Sequence, residues 1–180
     1  MAGTFLGTTE FKHHPLPVTQ LRFYMFISLF VAGNIILPLI IHAIPQGGKI
    51  FLPIYFFTLI ATYRFGLTMG IATALLSPLA NYFLTGMPPV SALPVILVKS
   101  VLLAAAASWI AQRTQKISLA HIATVVVSYQ FFGGIFEWIY TGRLQSALSD
   151  FQIGFPGMIM HIVVGYFLLM WLNRHIDKTL

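Results

Sequence analysis

The stretch LPVILVKSVLLAAAASWIA, residues 93–111, is apolar almost without a break, yet Lys99 stands inside it. Taking an ammonium out of water costs several kcal/mol unless it is paired, so such a lysine marks a site. Other polar side chains stand in similar surroundings: Asn34, His42, Asn81, Gln130, Glu137 and His161. Their possible chemistry is narrow. The chain has no cysteine and hence no thiol chemistry. His42, Glu137 and His161 could act as acid–base groups or metal ligands, but they come from separate segments with no His-Glu-x-x-His or similar local motif. Recognition of a ligand is the first reading of these groups and an intramembrane enzyme a rival one, and no catalytic residue, metal site or cofactor is assigned.

The elements that position these residues follow from composition. Of 180 residues, 58% are hydrophobic and 8% charged, far from the quarter expected of a soluble domain, so the bilayer is the solvent. The net charge of +6 is dispersed along the chain, which argues against a nucleic-acid partner. Residues 1–20 lack the apolar run and small-residue cleavage site of a signal peptide and read as a cytoplasmic N-terminal tail. About 20 apolar residues cross a ~30 Å hydrocarbon core as a helix. The apolar runs predict spans at 21–44, 50–64, 66–86, 92–112, 117–140 and 153–173. The expectation is an all-α integral membrane protein, a six-transmembrane-helix bundle forming a single membrane domain over 1–180. The second span is short, and PQGGKIFLP before it marks backbone that can dip into a membrane only where it is buried in protein or lines a cavity.

An even number of spans puts both termini on one side. Lys12, Arg22, Arg64, Arg113, Lys116, Arg174 and Lys178 fall there, against Lys49 and Arg143 opposite. The positive-inside rule then predicts cytoplasmic termini in a cell inner membrane, with loops 45–49, 87–91 and 141–152 facing outward. Depth follows. Lys99 lies about 10 Å below the outer end of its span, at ~1.5 Å per residue. His42, Asn81, Tyr82, Gln130, Glu137 and His161 all fall in outer halves, whereas inner halves offer only hydroxyls. A single polar pocket open to the outside accounts for this asymmetry. Each residue alone has a plainer reading: Lys99 snorkelling to the surface, His42 solvated at the interface, Asn81 and Gln130 bonding between helices, Glu137 with Trp138 and Tyr140 in an aromatic belt.

Small residues form a second pattern. Gly66, Gly70 and Ala74 recur every fourth position, as do Ser28 and Ala32, then Ala107 and Ala111. Such spacing lets helix backbones approach closely, either within the bundle or against another membrane subunit.

In layout over residues 20–173 the chain resembles the S component, the substrate-binding membrane subunit, of energy-coupling-factor (ECF) vitamin transporters. The specific stretch is 46–100, with its Gly-rich outer loop, FLPIYFF, a Gly-spaced span, SPL, LTGMPP and LP in that order. The resemblance implies a ligand site at the outer face and docking to a membrane T component driven by two cytoplasmic ATPases. Ser28 and Ala32 stand where an Ala-x-x-x-Ala motif would be expected, and Gly66, Gly70 and Ala74 complete the candidate docking set. No P-loop occurs, so ATP hydrolysis would belong to those partners. The glycine-rich pattern of biotin carriers and the aspartate-rich loop of riboflavin carriers are missing. The candidate ligand residues are His42, Tyr55, Asn81, Tyr82, Lys99, Gln130, Glu137, Trp138 and His161, a set suited to an aromatic or macrocyclic vitamin-like molecule. Loose similarity to corrinoid carriers favours cobalamin. Two rivals stay open, an intramembrane enzyme using the same His and Glu groups and a non-transporting membrane scaffold subunit. Lys99 and Glu137 fall at nearby depths, and an incomplete pair between them would leave Lys99 free to donate to a ligand.

Overall fold

The structure, a computed structural model, describes residues 8–11 and 15–176. Lys12 and Lys178, both counted toward the inner side, lie outside the described residues, as does half of the N-terminal tail. Among the described residues five helices are long and apolar enough to cross a membrane: α1 Leu21–Ile41, α4 Leu67–Thr85, α5 Leu93–Thr114, α6 Leu119–Thr141 and α8 Phe155–Ile176, the last apolar enough over Phe155–His175. Their outward faces stay apolar, with Leu29, Leu76, Phe83, Trp109, Ile139 and Trp171 all exposed. A water-soluble monomer does not expose so much apolar surface. The chain is a multi-pass integral membrane protein.

The expected six-span bundle is not what forms. Residues 50–64, read from the sequence as one span, belong to three shorter pieces. These are α2 Gly47–Phe51, a 3-10 turn Pro53–Tyr55 and the ten-residue α3 Phe56–Phe65. The break has a local cause. Pro53 has no N–H to give to a helix and disfavours helical backbone at the residue before it. Leu52 leaves the helical region for the left-handed one, at φ 50° and ψ 40°. The short α3 is nevertheless the middle of the protein. Nine of its ten residues are buried, and α1, α4, α5 and α8 all pack on it. It is buried around nearly its whole circumference because helices surround it.

A broken helix leaves amide groups that need partners in an apolar medium. Asn34 of α1 supplies one. Its Oδ1 accepts the Phe57 N–H at 3.0 Å, while its Nδ2 donates to Thr58 Oγ1 at 3.2 Å and Ser77 Oγ at 3.0 Å. One buried carboxamide thus ties α1, α3 and α4 together.

The first and last described segments share one end of the bundle. Thr9–Glu10 (β1) pairs antiparallel with Lys116–Ile117 (β2) between α5 and α6, and Asn173 of α8 donates to the Glu10 carbonyl at 3.3 Å. Tyr63 at the end of α3 donates to the Lys116 carbonyl at 2.7 Å, with Phe11 buried beside it. Arg64, counted from the sequence among the charges of the cytoplasmic side, is buried here, its guanidinium 5.4 Å from the Phe11 ring centre and 5.7 Å from that of Phe65. At the opposite end α4 and α6 stop at Gly86 and Gly142, both at positive φ, where a side chain would be strained. After Gly142 the chain forms α7 Leu144–Ile153, a short helix within the segment read from the sequence as an outer loop.

Candidate functional site

The end opposite the β1–β2 pair holds a cavity of about 820 Å3. The broken leg forms one wall through Leu52, Pro53 and Tyr55, and the loop through Met87 and Pro88 forms another. The α5 residues Val95, Ile96 and Lys99 face it, and α7 contributes Ser146, Ser149 and Asp150. Irregular backbone at this depth therefore lines a cavity, the setting in which a membrane protein tolerates it.

Lys99 is the centre of the polar floor. Its side chain is 2% exposed and its ammonium donates to Glu137 Oε2 at 2.7 Å and to Asp150 Oδ2. Glu137 uses its second oxygen to accept from Ser146 Oγ at 2.8 Å. Gln130 donates through Nε2 to Asp150 Oδ2 at 3.3 Å. The lysine stem reaches this position because Gly133 leaves room on α6; any Cβ at Gly133 would collide with Lys99 Cγ. Gln130, Gly133 and Glu137 lie at helical spacing on the buried face of α6.

This arrangement corrects the expected incomplete pair. Two carboxylates close on Lys99 because α7 carries Asp150 back over the bundle. Sequence reasoning assigned Asp150 no role. A signal was present in LQSALSDFQI, where Ser146 and Asp150 are four residues apart and share a helix face, with the apolar Leu144, Leu148 and Phe151 exposed.

The other candidates divide. His42, Tyr55 and Asn81 line the cavity together with Lys99 and Glu137. His42 holds its Nδ1 against the Pro38 carbonyl at 2.6 Å. Asn81 is largely occupied elsewhere, with Nδ2 donating to the carbonyls of Asn34 at 2.7 Å and Ser77 at 3.1 Å. Gln130 is buried one hydrogen bond behind the floor. Tyr82 is half-buried against Phe83, and Trp138 is 46% exposed; neither lines the cavity. His161 is buried beside the Phe56 ring, 5.7 Å between centroids, behind the break at Leu52 and Pro53. Among the described residues His42, Glu137 and His161 form no cluster able to hold a metal ion.

The small-residue stripes also divide. Gly66, Gly70 and Ala74 are buried, and a Cβ at Gly70 would run into the Thr62 side chain, so this stripe seats α4 against α3. Ala107 and Ala111 are buried within the bundle too. Ser28 is exposed and Ala32 half-buried on α1.

No known family model, curated protein or solved structure matches the chain.

Proposed function

We propose that this protein is a substrate-binding subunit of an ECF-type importer, capturing a vitamin-like small molecule in the cavity opposite its termini. The observation that carries the reading is the cavity itself. Mostly apolar walls enclose a small set of convergent polar groups, and the volume falls within the roughly 300–1,000 Å3 of pockets for ring-sized ligands. A compact ring-bearing micronutrient suits that volume.

The charge asymmetry supports cytoplasmic termini, which would turn the cavity outward. Energy for uptake would come from a T component and two ATPases. On this reading α1 offers Ser28 and Ala32 as the close-approach surface, because Gly66, Gly70 and Ala74 are consumed by internal packing.

Two measurements test the proposal. Native mass spectrometry of protein purified in mild detergent should find a co-purifying small molecule. Co-expression with a T component and its ATPases should give a complex that survives purification. Protein that carries no ligand and joins no complex would overturn the assignment.

A further inference from the structure

The floor of the cavity does not balance. Lys99 brings one positive charge to Glu137 and Asp150, which bring two negative charges. The oxygens are also unequally used. Both Glu137 oxygens accept hydrogen bonds, from Lys99 and Ser146. Asp150 takes Lys99 and Gln130 on the same oxygen, Oδ2, and its Oδ1 accepts from no described group. The side chain is 25% exposed, and Asp150 lines the cavity. Gln130 is 2% exposed, and its Oε1, the other end of the amide that binds Asp150, has no partner either. Negative charge in excess of positive, and a carboxylate oxygen that accepts from no described group, meet at one place beside a cavity. Lys49 also lines the cavity, but it is exposed, and solvent and salt screen its charge in a way they cannot screen the floor.

We infer that the ligand presents a cationic N–H donor, such as a protonated amine, an amidinium or a protonated ring nitrogen, to Asp150 Oδ1, with its apolar part against Pro38, Pro53, Pro88, Val95 and Ile96. The inference rests on the ligand-binding role proposed above and names the chemical class that role would take. A cation there removes the charge surplus and supplies the missing donor. A charge-assisted hydrogen bond to a carboxylate in a sheltered site is about twice as strong as a neutral one. An anionic ligand would have to displace Asp150 from Lys99 and leave two carboxylates uncompensated.

The test uses three probes of one shape, benzylammonium, benzyl alcohol and benzoate, titrated against the purified full-length protein with melting temperature as readout. Benzylammonium should raise it saturably, with a midpoint about tenfold or more below that of benzyl alcohol, and benzoate should be the weakest. Asp150→Asn keeps the Lys99–Glu137 pair and should erase the preference for the cation, while Asp150→Glu should keep it. If Asp150→Asn does not purify, the order of the three probes on the unmodified protein decides. Preference for benzoate, equal response to all three, or a cation preference that survives Asp150→Asn overturns the inference and leaves the binding role standing. No saturable response to any probe, together with no co-purifying ligand, overturns both.

Discussion

The Asn81 carboxamide donates at 2.7 Å to the backbone carbonyl of Asn34, the acceptor that Pro38, four residues on, cannot serve. A proline in the interior of α1 would otherwise leave a carbonyl unpaired in an apolar medium. The donor comes from α4, so the kink-prone stretch of one span is repaired by its neighbour. Asn81→Leu should therefore cost stability, about 1–3 kcal/mol for an orphaned buried group. Pro38→Ala restores a helical N–H at position 38, so Asn81→Leu should cost measurably less in that background. Melting temperatures of the four proteins in the cycle check this, and equal costs in both backgrounds would refute it.

Lys99 gives a second, sharper expectation. Lys99→Met leaves Glu137 and Asp150 without their shared cation, which should destabilise the empty protein by about 3–5 kcal/mol. Combining it with Glu137→Gln and Asp150→Asn removes the charges together and should recover much of the loss. Thermal unfolding monitored by circular dichroism distinguishes the two. A Lys99→Met protein as stable as the parent would mean that the ammonium is not the counter-ion of both carboxylates.

Gly133 is predicted to matter through Lys99. Gly133→Ala puts a methyl group where the lysine stem now lies, so either the stem or α6 must shift. The expected result is a loss of about 1–3 kcal/mol, with part of it absent when Lys99 is already alanine. Additive losses would show that the two positions do not meet.

Small residues on different faces should behave differently. Gly70→Leu should prevent stable folding, because Thr62 fills the space beside it. Ser28→Phe and Ala32→Phe, on the outward part of α1, should leave the melting temperature of the isolated protein nearly unchanged and weaken capture of a T component. Pull-down beside melting curves reads both effects.

Orientation can be read with single cysteines, since the chain has none of its own. Ser91→Cys and Gln145→Cys, both exposed at the cavity end, should react with an impermeant thiol reagent on intact cells. Arg113→Cys, exposed at the terminal end, should react only after permeabilisation. The reverse pattern would turn the cavity toward the cytoplasm.

Much of the architecture was legible in the residues because membrane spans are long and locally encoded. The apolar runs at 21–44, 66–86, 92–112, 117–140 and 153–173 each became a single long helix, with ends displaced by a few residues. The depth of Lys99 and Glu137 was also legible, since helical rise converts position into height. Three things were not. The run 50–64 had the composition of a span, but Leu52 and Pro53 break it, and the Asn34 side chain from another helix takes up the Phe57 amide after the break. Composition carries no information about such a partner. Asp150 stood in a segment too short and too polar to read as membrane-embedded; its place on Lys99 depends on α7 folding back over α6, a long-range contact. The Gly66, Gly70 and Ala74 stripe reads the same whether its neighbour is α3 or a different protein, because spacing encodes closeness of approach and not the identity of what approaches. Sequence alone therefore determined that this chain lives in a membrane, roughly where it crosses, and which polar groups share a depth. The tertiary structure decided which of those groups meet, since pairing in a bundle depends on how helices rotate and on which neighbour supplies the missing donor.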